Sequence, residues 1–103
     1  MSDAKTPTTA SAGKVLDVLN LLLRHFAIGL TAGEIAKSTG LGASDVTRYV
    51  ATLEAKGFSE RIPETGRIRA STRMAQAAVS ILRSVEDASS RLEELKTRIN
   101  RTH

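Results

Sequence analysis

The 103-residue chain has no cysteine, no tryptophan, two prolines and only three aromatic residues, Phe26, Tyr49 and Phe58. Without cysteine there is no disulfide, no thiol nucleophile and no Cys-containing zinc site, and the chain suits a reducing cytoplasm. The three aromatics all fall at apolar-pattern positions, which argues against a platform for stacking single-stranded bases. No apolar run approaches the roughly 18 residues a membrane helix needs, and the N-terminal MSDAKTPTTASA lacks a signal peptide's apolar stretch. Reactive constellations are missing too. His25 and His103 have no ligand-spaced partners, and no serine stands in a nucleophile elbow. No acid pair suits general acid and base work, and Gly13-Lys14 lacks the preceding glycines of a phosphate loop. The expectation is a soluble intracellular protein with no enzymatic activity, metal or cofactor.

What is present is a mild cationic excess and strong local patterning. Fifteen Lys and Arg against eleven Asp and Glu give a net charge of +4, which fits an anionic partner without requiring one. The length allows one domain with a modest core.

The organising stretch is TAGEIAKSTGLGASDVTRYVATLEAKG, residues 31 to 57. Thr31 and Glu34 form a capping-box pattern, and Leu30 with Ile35 is placed as a hydrophobic staple across the helix start. Gly40-Leu41-Gly42 then breaks the helix, with Gly40 suited to a left-handed cap and Leu41 to a plug under the corner. The second helix opens near Gly42, with Asp45 at the positive end of its dipole. Val46, Tyr49, Val50 and Leu53 step at i, i+3, i+4 and i+7 and form one buried face. The other face offers Ala43, Ser44, Thr47 and Arg48 near the helix start. Small, hydrogen-bonding groups with one guanidinium let a helix approach a major groove and let Arg48 reach a phosphate or a guanine edge.

Around this stretch, residues 1–12 are expected to be a disordered tail. From Gly13 to Phe26, Val15, Val18, Leu19, Leu22, Leu23 and Phe26 repeat at helical spacing, with Leu16 and Leu21 widening the stripe. After Lys56-Gly57 the period changes to two. Phe58–Ile62 and Gly66–Ala70 are strand candidates joined through Pro63-Glu64-Thr65-Gly66, a loop that suits a hairpin closed by a positive-φ glycine. Ile68 and Ala70 then face one side and Arg67 and Arg69 the other, where two guanidiniums suit phosphate or minor-groove contact, or pair with Glu60. The predicted fold is mainly α with a small β-hairpin, a winged helix-turn-helix over residues 13–71 followed by a long C-terminal helix over 72–103.

That helix carries Met74, Ala78, Ile81, Val85, Ala88, Leu92, Leu95 and Ile99 in alternating steps of four and three, a heptad seam over about four repeats. A small winged domain cannot bury so long a stripe, so homodimerisation through Ile81, Val85, Ala88, Leu92, Leu95 and Ile99 is expected. Arg91, Lys96 and Arg98 occupy flanking e and g positions, which opposes a symmetric parallel pair. Ala88-Ser89-Ser90 is a weak spot where a helical hairpin could fold back.

Gly29-Leu30-Thr31, Glu34-Ile35-Ala36, Thr39-Gly40-Leu41, Arg48, Ala51 to Phe58, Glu60-Arg61 and Pro63 to Arg67 together resemble the DNA-binding domain of IclR-type transcriptional regulators, over roughly residues 13 to 74. The resemblance implies that the second helix enters the major groove and the wing touches the backbone, in a dimer on a pseudo-palindromic site. It implies Ser44, Thr47 and Arg48 as the groove-facing group, with Thr65, Arg67 and Arg69 on the wing. Asp45 stands where the family more often has a hydroxyl residue, and a carboxylate there repels phosphate unless it serves the cap or accepts from a cytosine amino group. Ser59 stands where an apolar residue is common. Family members usually continue into a ligand-sensing domain, whereas this chain ends at His103, so no small-molecule effector domain is expected. The combined expectation is a sequence-specific regulator that binds double-stranded DNA as a dimer and represses transcription. The alternative is a protein-interaction adaptor or the DNA-targeting subunit of a larger DNA-processing assembly.

Overall fold

The computed structural model describes residues 6–101. The expectations for the first five residues of the tail and for His103 lie outside the described residues. The elements run α1 (Ala10–Arg24), α2 (Ala32–Thr39), α3 (Ala43–Ala55), β1 (Ser59–Arg61), β2 (Ile68–Ala70) and α4 (Thr72–Arg101). The chain divides into a unit ending at Thr72 and a second beginning at Arg73.

In the first unit, α1 begins at Ala10, three residues before the expected start, so the expected tail is helical at residues 10–12. Thr9 takes the extended N-cap conformation, and Ala10-Ser11-Ala12 contains nothing that breaks a helix. Gly13 sits in the first turn with its N–H bonded to the Thr9 carbonyl at 3.0 Å. The helix ends at Arg24, earlier than Phe26, because the His25 N–H turns back to the Leu22 carbonyl and closes the last turn tightly.

The capping box of α2 is complete: the Thr31 hydroxyl accepts from the Glu34 N–H at 3.1 Å, and the Glu34 carboxylate accepts from the Thr31 N–H at 3.0 Å. Gly40 ends α2 in the left-handed conformation. The core gathers Val18, Leu21 and Leu22 of α1, Leu30, Ile35 of α2, Val46, Tyr49, Val50 and Leu53 of α3, and Ile68 and Ala70 of β2. Val18, Leu22, Ile35 and Val46 are fully enclosed, and each such side chain contributes about 1.5–3 kcal/mol by leaving water. Leu16 and Leu23 remain exposed, so the stripe on α1 is narrower than its sequence suggests.

The hairpin pairs Ser59 with Ala70, Glu60 with Arg69 and Arg61 with Ile68, antiparallel. Its strands are three residues each, shorter than expected: the Ile62 N–H still donates to the Arg67 carbonyl at 2.8 Å, and the chain then turns at Pro63. The Ile62 carbonyl accepts from the Thr65 and Gly66 N–H groups, and Gly66 adopts φ +74°. Leu30 adds a third segment that the sequence did not reveal: its N–H and carbonyl exchange two 2.8 Å bonds with Ile68. The approach is so close that a Cβ on Gly29 would lie 2.7 Å from the Ile68 oxygen. Glycine is therefore required at the entry to α2 both for its positive φ and for space. Ser59, the departure from the family pattern, is buried and turns its hydroxyl toward the Val50 carbonyl at 3.5 Å.

In the second unit, α4 continues without a break through Ala88-Ser89-Ser90. The folded-back hairpin that this spot allowed does not form, since three good or neutral helix formers without Pro or Gly do not interrupt the ladder. Thirty residues span roughly 45 Å at 1.5 Å per residue. Ile81, Val85, Leu92, Leu95 and Ile99 are all about half exposed or more.

Candidate nucleic-acid interface

The buried face of α3 fixes the exposed one. With Val46, Tyr49, Val50 and Leu53 inward, Ala43, Ser44, Thr47 and Arg48 all stand in solvent. The Thr47 hydroxyl donates to the Ala43 carbonyl at 3.0 Å within its own helix, which leaves its oxygen lone pairs facing outward. Arg48 is 68% exposed, yet it is oriented: Nη2 donates to Asp45 Oδ1 at 2.6 Å, and its guanidinium lies 5.4 Å from the Tyr49 ring centroid. The Asp45 contact holds the Arg48 pKa above its ordinary value. Asp45 is thus the hydrogen-bond partner of Arg48, an arrangement besides the two the sequence left open.

Beside α3, the wing presents an arginine that was not among the contact residues expected from the sequence. Arg61 pairs across the sheet with Ile68, so the two share a face, and a cleft of about 120 Å³ lined by Thr47, Ala51, Glu54 and Arg61 separates it from α3. Arg61 Nη1 donates to the Gly66 carbonyl at 3.1 Å, which ties it to the wing loop. The cross-strand register was the signal that could have found it. Thr65 is exposed at the loop tip, where its oxygen accepts from the Arg67 N–H at 3.2 Å.

Arg67 and Arg69 do not form the outward pair that strand alternation suggested; for Arg69 the alternative holds, a pairing with Glu60. Arg67 precedes β2, and its Nη2 donates to the Gly29 carbonyl at 3.2 Å and to Glu34 Oε1 at 2.7 Å. Arg69 grips Glu60 through Nε at 2.9 Å and Nη2 at 2.8 Å, with its guanidinium 5.4 Å from the Phe26 ring centroid. Both are more than two-thirds enclosed. The physical reason is that each finds a carboxylate already fixed by a backbone N–H. Glu34 is held below the usual carboxylate range first by the Thr31 N–H and then by Arg67. Glu60 is held below it first by the Thr72 N–H and then by Arg69.

The chain, with its capped helix, glycine corner and solvent-facing second helix, matches the family model of the IclR helix-turn-helix domain over residues 11–63. The chain belongs to that family. It carries an IclR-type helix-turn-helix domain. Among solved structures, this IclR-type chain is similar to HmgR of Pseudomonas aeruginosa at 25% identity and a TM-score of 0.62, covering 74% of this chain and 31% of that one. It is also similar to an IclR family transcriptional regulator from Brucella abortus at 22% identity and a TM-score of 0.56, covering 80% and 32%. The second likeness bears on the fold alone. The chain spans under a third of the length of either structure. None of the curated proteins matches it. Among the described residues, no helix is long and apolar enough to cross a membrane.

Proposed function

We propose that this IclR-type domain recognises a specific sequence in double-stranded DNA, as a dimer, and represses transcription by occupying it. The observation that carries the proposal is the exposed end of α3, where Ala43, Ser44 and Thr47 permit close approach and Arg48 is held ready by Asp45. Small side chains let a helix backbone near the groove floor, and a pre-oriented guanidinium suits bidentate contact with a guanine edge. Thr65 and Arg61 supply backbone contacts from the wing. Arg67 and Arg69, already committed to Glu34 and Glu60, hold the wing in place for those contacts. The dimer forms through Ile81, Val85, Ala88, Leu92, Leu95 and Ile99 of α4, whose apolar stripe lies exposed in the single chain.

A duplex titration at several salt concentrations tests this. A DNA-binding protein loses affinity linearly in log-log form, with a slope of about −0.9 per neutralised phosphate. A protein-docking adaptor, the other reading that the exposed α4 stripe supports, shows no such slope.

A further inference from the structure

The seam of α4 is flanked unevenly. In its distal half, Arg91, Lys96 and Arg98 border the stripe at e and g positions; in its proximal half the same positions hold Ala75, Ala77, Leu82 and Ser84. The nearby acids Glu86, Asp87, Glu93 and Glu94 fall at b and c, away from the stripe. Lys96 does touch Glu93 at 3.5 Å, but both side chains are more than 60% exposed, and such a pair does little to neutralise a charge.

We propose that two copies of α4 pair antiparallel, with Ile81 packed on Leu92 of the second copy, Val85 on its Ala88 and Ala78 on its Leu95. This rests on the dimer proposed above and specifies its geometry. A parallel in-register pair sets Arg91 against Lys96 of the second copy, five residues on, and repeats that repulsion on the other flank. The antiparallel pair instead sets Arg91 near Ala77 and Ser84 of the second copy, and Lys96 near its Ala75 and Leu82. Each basic flank then lies beside small or apolar side chains, where its stem can pack and its charge can reach water. The register is one the unbroken helix permits: every seam residue from Ala78 to Leu95 gains a seam partner, a and d alternating. Large residues meet small ones at Val85 with Ala88 and at Leu95 with Ala78, which fills the layers evenly. The two Thr72 ends of the helices are thereby held roughly 40 Å apart, at 1.5 Å per residue.

The absence of cysteine makes the test clean. Ile81→Cys and Leu92→Cys variants of the 103-residue chain are prepared singly, mixed, equilibrated in a thiol redox buffer and analysed by non-reducing mass spectrometry, alongside sedimentation of the reduced proteins. The expected result is a mixed Ile81-to-Leu92 crosslink, lost when either variant is treated alone. Leu92→Cys crosslinking to itself in a dimeric protein overturns the antiparallel register while leaving the dimer intact. Reduced parent protein that sediments as a monomer overturns both. Arg91→Glu supplies a measurement without a cysteine. Its dimer dissociation constant stays at the parent value in the antiparallel pair, whereas a tighter dimer, drawn together by the new carboxylate and Lys96 of the second copy, contradicts it.

Discussion

Arg67 closes on Glu34 across 33 positions of sequence, with Nη2 2.7 Å from Oε1, and that carboxylate is the same one that completes the capping box of α2. One side chain therefore starts the first helix of the helix-turn-helix and fastens the wing to it. Glu60 repeats the arrangement on the other strand, receiving Arg69 and the Thr72 N–H together.

These two carboxylates are expected to contribute to the acid stability of the domain. Both have folded-state pKa values depressed below the ordinary range. Their contribution is therefore fully present above the unfolded carboxylate value, about 4.3 for Glu, and is lost as pH falls through the lower folded value. Urea unfolding followed from neutral pH to pH 3 is expected to show stability falling through this window. Glu34→Gln and Glu60→Gln are each expected to be less stable near neutrality and to have a shallower acid limb. A parent-like acid limb in both variants would rule out this role.

Thr31→Ala removes the other half of the capping box and should cost about 1 kcal/mol, the usual worth of an N-cap hydroxyl. Thermal unfolding measures it.

Gly29 and Gly66 both have positive φ, but they differ in space. Gly66→Ala meets nothing within 4 Å and should cost about 1–2 kcal/mol, the penalty of the left-handed conformation alone. Gly29→Ala meets the Ile68 carbonyl and should cost clearly more, since the bridge between Leu30 and Ile68 must open. Denaturant midpoints at unchanged m-value order the two, and equal losses would show that the close approach is unimportant.

Arg48→Ala is expected to lower the ratio of specific to non-specific duplex affinity, by about 1–3 kcal/mol for one lost bidentate base contact. Arg61→Ala should weaken all sequences alike and reduce the salt slope by about one. Arg67→Ala should lower the unfolding temperature and leave that slope unchanged, because its Nη2 is held by Glu34 and Gly29 and the side chain is mostly enclosed. Parallel titrations on a selected site and a scrambled duplex separate the three, and a reduced slope for Arg67→Ala would return that residue to the phosphate contacts.

Asp45→Ala removes the 2.6 Å partner of Arg48 and a negative charge beside the proposed DNA-contacting residues. Affinity for a scrambled duplex should rise while discrimination between sites falls. Unchanged discrimination would mean that Asp45 does not orient the guanidinium.

Thr31 with Glu34, the Gly40 corner, the four-residue face of Val46, Tyr49, Val50 and Leu53, and the Pro63–Gly66 loop were all legible in the sequence. Each is decided by groups within a few positions of one another, and all appear where expected. Boundaries were less legible: α1 runs back to Ala10 because a weak first turn needs only the absence of a breaker.

By itself the sequence determined the order of elements, the cap and corner of α2, the wing turn and the apolar face of α3, because these follow from local backbone preference and periodicity. Only the tertiary structure decided that Leu30 joins the sheet, that Arg67 and Arg69 are drawn onto Glu34 and Glu60, and that Arg61 stands beside α3 instead. An ion pair formed across 33 residues leaves no periodic trace in the chain. Its partners are chosen by which fixed carboxylate the folded backbone brings within reach of each guanidinium.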